Sequence, residues 1–499
     1  MGVIIRQSLF NSLISYVGMA IGYVNLMYLY PKFLAPEQVG LLRSIQDAAM
    51  LFTPFAIFGL GQSIIRFYPH FSAGKKQSAN FISLILTLAL LCYGIFLVTF
   101  MVFRNFFISF FEEKAPHIIQ HVPLILWLTF FLLFITLLEQ YSRSLLKIAF
   151  PGFLREVGIR VLQGILVACY FIGWMSFEQF LLVSVILYLV LLIVLAIFLV
   201  QQRELNLNFN FRFMPRVKLK EIFTFSALSF VGTSAMILIG KMDSVMVSGM
   251  LGLAANAVYT TAFYMATVIE IPRRAITTTA APLIARAFEK NDLQEVGSIY
   301  RKTSINQFII GALLLLGIWA NLPSLFRLMP RGEYYQTGAL VVTIVGCGKL
   351  FDMIFGPSSE IIGLSKHYWF NLVVITLLAG IVIVANTMLI PTLGLEGAAY
   401  GTVIALIVYN LSKFIFVYAK LGLQPFSWNT LKVMVIAIST GLLNLALPSL
   451  EHPISDITYR SFLITLVFGG LIVLTRSSKE VNSVFFSVIN KLKHWAGRS

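Results

Sequence analysis

The sequence predicts an all-α integral membrane protein of about fourteen transmembrane helices, built as two pseudo-symmetric six-helix bundles plus two extra C-terminal helices. Three observations carry that expectation. Hydrophobic residues make up 58% of the 499 and charged residues only 12%, about half the ~25% charged share of a water-facing surface. The apolar residues fall in runs such as 81–102, 181–200 and 372–389, near the ~20 residues that span a ~30 Å hydrocarbon core. A pattern of turn residues and prolines near the start also returns after a basic linker in mid-chain.

In order, the spans fall near 8–31, 40–68, 79–103, 122–141, 155–174, 179–201, 221–248, 256–287, 303–326, 336–362, 368–390, 397–419, 430–447 and 458–476. Their grouping gives an N-terminal bundle over 1–215, a second bundle over 216–425, and two added spans with a basic tail over 426–499. The repeat supports the grouping. The stretch Leu34–Gly40 (LAPEQVG) closes the first helix and turn, and Leu251–Tyr259 (LGLAANAVY) closes its counterpart. Pro54 and Pro272 lie 218 positions apart. The polar exits Ser72–Lys76 and Glu289–Asp292 keep nearly the same offset. An even number of helices per half gives both halves one orientation, hence a pseudo-two-fold axis along the membrane normal.

Lys and Arg total 37 against 21 acidic residues. With the N-terminus placed in the cytoplasm, the outer loops hold only Lys32, Arg104, Lys114, Arg327 and Arg331. The inner segments hold the great majority, among them Arg6, Lys147, Arg203, Arg212, Lys218, Lys290, Lys413 and Arg476. That asymmetry is the positive-inside pattern and sets both termini in the cytoplasm. Basic residues scattered over many inner segments form no nucleic-acid footprint. The longest loops, near 104–121 outside and 202–220 inside, are too short to fold as domains, so any chemistry sits among the helices. The start runs into a full-length helix and is expected to carry no cleaved signal. Arg6 occupies the position a myristoylation motif gives to a hydroxyl residue. Cys92, Cys169 and Cys347 lie singly in apolar segments and are expected to pack rather than to pair or bind metal.

Four segments bring in a family. Tyr30–Leu41 (YPKFLAPEQVGL) follows the first helix, and Gly59–Arg66 (GLGQSIIR) lies in the second. Lys241–Gly252 (KMDSVMVSGMLG) lies in the seventh, and Pro391–Ala399 (PTLGLEGAA) enters the twelfth. In order and spacing the chain resembles the multidrug/oligosaccharidyl-lipid/polysaccharide exporter superfamily, specifically its polysaccharide-transporter branch of O-antigen and capsule flippases. The resemblance implies a bacterial inner-membrane transporter, not an enzyme. It would move a polyprenyl-diphosphate-linked oligosaccharide from the cytoplasmic to the outer leaflet by alternating access. The implied partners are that glycan lipid, the bilayer, and other polysaccharide-assembly membrane proteins.

Ionisable residues inside the membrane cost roughly 2.5–3.5 kcal/mol each on insertion scales, so they face a partner or a water-filled cavity. Arg43, Asp47 and Arg66 lie in the second span, and Lys241 and Asp243 in the seventh. Glu270, Arg273 and Arg274 flank Pro272, and Lys349, Asp352 and Glu360 lie in the tenth span, with Glu139 near the end of the fourth. The i,i+3 and i,i+4 spacings of Arg43/Asp47, Glu270/Arg273, Glu270/Arg274 and Lys349/Asp352 allow plain intrahelical pairs. Lys241 and Asp243 are two apart, cannot face each other, and need partners elsewhere. Arg66 and Arg286 sit near the inner surface and equally suit topology anchors. As a group, Arg43, Asp47, Arg66, Lys241, Asp243, Glu270, Arg273, Arg274, Lys349 and Asp352 are the candidate substrate contacts. Their signs are mixed, so the expectation is a polar site with local cationic spots that hold a diphosphate by charge-assisted hydrogen bonds. Pro54, Pro272, Pro282 and Pro357 are expected to interrupt helices, as static kinks or as gating hinges.

No G-x-x-x-x-G-K-[ST], H-E-x-x-H or paired-Cys motif occurs, so neither a P-loop nor zinc is expected. No cofactor is expected. If Na⁺ or H⁺ drives transport, the carboxylates Asp47, Asp243, Glu270 or Asp352 carry the coupling. Three rival classes stand beside the flippase. A multidrug/cation antiporter on the same fold calls for an acidic, aromatic cavity, and the interior Arg and Lys count against it. A glycan polymerase or ligase calls for a larger outer loop, and a scaffold gives no reason for so many interior charges.

Overall fold

The computed structural model describes residues 14–72, 74–210, 216–483 and Ser487. Among them every regular element is helical. Contacts divide the chain into two units, Met1–Thr260 and Thr261–Ser499.

The first unit opens with α1 (14–24), a π-turn at Asn25–Leu29 and the short α2 (Tyr30–Phe33). α3 (Pro36–Ile57) starts where the sequence dictates a start. Pro36 in the first turn spends no N–H, and the Gln38 side chain accepts the Ala35 N–H at 2.9 Å. α4 (Leu60–Phe71) leaves α3 at a 46° bend. Next come α5 (Lys75–Val102), α6 (Arg104–Glu112), α7 (Pro116–Gln120) and α8 (Val122–Ser144). α9 (Ala149–Phe153) runs through a π-turn at Leu154–Gly158 into α10 (Ile159–Phe171). α11 (Phe177–Gln201) begins on a reciprocal cap, Ser176 and Gln179 each accepting the other's N–H. α12 (Arg216–Leu251) follows, and α13 (Leu253–Thr267) crosses the division between units.

The second unit continues through a 3₁₀ turn at Val268–Glu270 into α14 (Ile271–Glu289), then α15 (Leu293–Leu328) and α16 (Gly332–Tyr335). α17 (Ala339–Ile354) and α18 (Ser358–Leu364) are separated by Gly356, at φ +56°, and Pro357. α19 (Trp369–Leu393), α20 (Leu395–Leu421), α21 (Trp428–Ala446) and α22 (Pro453–Leu474) complete it.

Each unit buries its own core: Phe81, Leu137, Tyr141 and Leu199 in the first, Ile284, Tyr300, Ile361 and Val417 in the second. The outward faces stay apolar as well, with Ile95, Ile193 and Ile415 exposed. Helices apolar on both faces are helices in lipid. The chain is a multi-pass membrane protein.

Ten helices among the described residues are long and apolar enough to cross a bilayer, eleven with the bent α3–α4 pair. The sequence expectation of about fourteen counted segments that the structure breaks. The span at 155–174 divides at the π-turn, and that at 256–287 at the 3₁₀ turn before Pro272, leaving pieces shorter than one crossing or richer in polar residues. The first span, 8–31, lies partly outside the described residues. Two expectations need correction. Residues 104–121, read as a loop, are mostly α6 and α7, because aromatic residues at Phe107, Phe110 and Phe111 give the segment something to pack. Pro282 does not interrupt its helix: α14 runs through it. Pro54, Pro272 and Pro357 do stand at or beside breaks.

Candidate functional site

Most of the interior charges singled out by the sequence gather into one cluster in each unit. In the first, α3 and α12 present matched polar ridges. Gly40, Ser44 and Asp47 are spaced i, i+4, i+7 on α3, and Lys241, Ser244 and Ser248 i, i+3, i+7 on α12, so each set shares one face. Gly40 lets α3 close on the start of α13: a Cβ there would collide with the Leu253 carbonyl. Across the contact Lys241 Nζ lies 2.6 Å from Asp47 Oδ1, and Ser244 Oγ 2.7 Å from Asp47 Oδ2. Ser244 Oγ also lies 3.0 Å from Asn256 Oδ1, while Asn256 Nδ2 donates to Ser44 Oγ at 3.0 Å. Ser44 Oγ and Ser248 Oγ are 2.6 Å apart. Asp243, off that face, accepts from Tyr259 OH at 2.8 Å. Asp47, Asp243, Ser248 and Asn256 are all buried.

Lys241 and Asp243 thus find separate partners on other elements, as their two-residue spacing requires. The Arg43–Asp47 pair that the i,i+4 spacing allows does not form. Asp47 is taken by Lys241 and Ser244, and Arg43 is left with Gln46 Oε1 at 3.4 Å and the face of Tyr30 at 5.7 Å. Arg43 Nε is buried without an acceptor. Arg66 stands apart from this cluster. It is exposed, over the rings of Phe225 at 4.3 Å and Phe67 at 5.6 Å. Glu139 pairs with Arg155 at 2.8 Å, away from it too.

In the second unit the turn at Val268–Glu270 and the start of α14 meet α17. Lys349 Nζ lies 2.9 Å from Glu270 Oε2, and Arg273 Nη1 2.9 Å from Asp352 Oδ2. Glu270 Oε1 is also 3.5 Å from Arg273 and 3.7 Å from Arg274. The Lys349/Asp352 pair allowed by sequence spacing is replaced by two interhelical bridges. Both α17 side chains reach opposite charges on the 3₁₀–α14 segment, and a charge shared between elements fixes their packing as an intrahelical pair cannot. Arg274 points away, its side chain 77% exposed, and keeps only the long contact to Glu270. Glu360 lies on α18, with Oε2 buried and without a donor.

Lys413 requires a correction of another kind. Counted among the inner-face basic residues, it is an α20 interior residue, 1% exposed. Its ammonium donates to Ser359 Oγ at 3.1 Å and rests 3.7 Å from the centre of the Tyr409 ring. Sequence reasoning also passed over Ser44, Ser244, Ser248, Asn256 and Tyr259. The helical spacing of the two serines of α12 from Lys241 was the signal available for part of that set. Among the described residues no group of three or more His, Cys, Asp or Glu is placed to hold a metal.

An all-helical multi-pass protein with ion pairs buried inside lipid-facing units has the build of a membrane transporter. The chain belongs to the polysaccharide biosynthesis protein family, which it matches over residues 4–288. Among solved structures it is similar to the lipid II flippase MurJ in an inward closed conformation, at 12% identity and a TM-score of 0.71. The match covers 94% of this chain and 99% of that one. It is also similar to an inward-facing multidrug resistance MATE family transporter of the MOP superfamily, at 16% identity and a TM-score of 0.64. There the coverage is 81% of this chain and 94% of that one. At these identities the likeness is one of fold. No curated protein matches the chain. The superfamily suggested by the four sequence segments is the one whose fold the chain adopts.

Proposed function

We propose that this protein is a flippase. It moves a polyprenyl-diphosphate-linked oligosaccharide from the cytoplasmic to the outer leaflet of a bacterial inner membrane, by alternating access, for the assembly of an O-antigen- or capsule-like polysaccharide. The observation that carries the reading is the second unit's charge cluster. Arg273, Arg274 and Lys349 converge on Glu270 within a unit whose surface is apolar. A diphosphate is a multiply charged, oxygen-rich group that cannot enter hydrocarbon alone. The Arg273 guanidinium and the Lys349 ammonium, mostly buried and held by carboxylates, are suited to exchange those carboxylates for phosphate oxygens. The polyprenyl tail needs no polar path. Membership of a polysaccharide biosynthesis family and a fold shared with a lipid II flippase support the same substrate class.

The fold is shared with multidrug transporters too, but the cations of this cluster disfavour a cationic cargo. In our reading Asp243 is the coupling carboxylate if a Na⁺ or H⁺ gradient drives export, and both termini are cytoplasmic. The test is genetic and chemical together. Deleting the gene should make short lipid-linked oligosaccharide accumulate on the cytoplasmic leaflet, and the wild-type gene should reverse it. Unchanged lipid-linked oligosaccharide with altered drug or cation sensitivity would transfer the protein to the antiporters.

A further inference from the structure

Lys413 and Asp352, on the packed helices α20 and α17, are both left incompletely partnered. Lys413 is fully buried yet pairs with no carboxylate among the described residues, holding only one hydroxyl and one ring face. A buried ammonium without a counter-charge is costly. On α17, which packs against α20, Asp352 spends Oδ2 on Arg273 while Oδ1, also buried, has no donor at full hydrogen-bond geometry and only the Asn410 side chain beside the carboxylate. Asp352 lies within electrostatic reach of Lys413 as well as of Arg273 and Lys349. Glu360 Oε2 on α18 and Asn410 Oδ1 on α20 are likewise buried without donors. Around Lys413 stand Ser359 of α18 and Tyr409 of its own helix, while Glu360 and Tyr409 act on Arg273, the partner of Asp352. His367, before α19, packs on Phe416 of α20. Asp352 lies four residues before Gly356, whose positive φ begins the break into α18, so its carboxylate sits beside a backbone joint.

We propose that Lys413 is a positioning residue that receives the Asp352 carboxylate when a diphosphate takes Arg273 from it. In the ligand-free arrangement Arg273 is paired and Lys413 is alone. After the exchange Arg273 holds phosphate and Asp352 pairs with Lys413, so that none of these three ions lacks a partner. The carboxylate moves from the α14 side of α17 to the α20 side, so occupancy of the phosphate site is converted into a change of packing at the Gly356–Pro357 joint. The proposal rests on the reading of Arg273 as a phosphate ligand.

A mutant cycle on the full-length, detergent-solubilised protein tests it, with farnesyl diphosphate as the probe and calorimetric titration as the readout. Lys413→Met should weaken binding about tenfold, since Asp352 then has nowhere to go. Lys413→Arg should recover most of that loss. Asp352→Asn, which removes the competitor for Arg273, should bind more tightly than wild type. In the Asp352→Asn background, Lys413→Met should change affinity by less than about twofold. A merely structural lysine would cost the same in both backgrounds. That outcome, or no loss in the wild-type background, or weaker binding by Asp352→Asn, overturns the exchange. If Lys413→Met alone is not monodisperse, the comparison of Asp352→Asn with the double variant decides, because removing both charges leaves neither partner of this pair as a buried ion. Arg273→Gln is measured alongside: wild-type affinity there overturns the phosphate role of Arg273 itself. Weakened binding by Arg273→Gln with an additive Lys413 effect overturns the exchange alone.

Discussion

Asp243 and Lys241 are two residues apart and have different fates. Lys241 reaches Asp47 and keeps a third of its side chain exposed, whereas Asp243 is 3% exposed and held by Tyr259. Lys241→Gln keeps a hydrogen-bonding group near Asp47, which Ser244 still serves. Asp243→Asn keeps the volume and removes a buried negative charge that can take a proton or bind a cation. Export should therefore fall further in Asp243→Asn than in Lys241→Gln. If Asp243 carries coupling, what export remains should lose its dependence on pH and sodium, which is read by repeating the assay across both. Wild-type export in Asp243→Asn under all those conditions would make it a packing residue. The paired substitution Arg273→Gln/Arg274→Gln should abolish glycan export while the protein still inserts at native levels. Normal export by that variant sinks the phosphate assignment, and loss of the protein from the membrane would favour a structural role for the bridges.

Helix breaks are fixed by packing as firmly as the helices are. α3 ends where Phe58 and Gly59 both turn left-handed, and Phe58 N–H caps back to the Pro54 carbonyl at 3.0 Å. Gly59 has φ +72°, and a Cβ there would run into the Ser226 carbonyl and the Phe230 nitrogen of α12. Gly59→Ala should therefore cost about 1–3 kcal/mol, seen as a lower melting temperature of the purified protein. Gly94→Ala is the control: a Cβ there meets nothing within 4 Å in mid-helix. It should be neutral or stabilising by up to about 1 kcal/mol. Equal melting temperatures for the two variants would mean that the α3–α4 bend gives way without cost. The same reasoning explains why Pro282 was misread. A proline ring kinks a helix only as far as packing allows, and the Ala280 and Ile284 that flank it are buried in the second unit's core.

For the whole molecule the testable claim is orientation. Basic residues concentrated on one set of loops predict that 203–220 is cytoplasmic. A cysteine introduced as Lys218→Cys should resist a membrane-impermeant thiol reagent in intact cells and react once the membrane is opened. The comparison is made on a background with Cys92, Cys169 and Cys347 replaced. Labelling in intact cells would invert the map. Composition alone decided the class of this protein, because 58% apolar and 12% charged residues leave no way to cover a water-soluble surface. Spacing along a helix decided which charges share a face, and so foretold that Lys241 and Asp243 would part. The partners were beyond it. The sequence offered Arg43 for Asp47 and Lys349 for Asp352, and the fold chose Lys241 and Arg273. It also read Lys413 as a surface charge, since a lysine near the end of an apolar run has the same one-dimensional signature whether it reaches water or is enclosed. An ion in a low-dielectric interior takes the nearest opposite charge in three dimensions. Which charge is nearest is fixed by how α3 meets α12 and α14 meets α17, and that is a property of packing rather than of order along the chain.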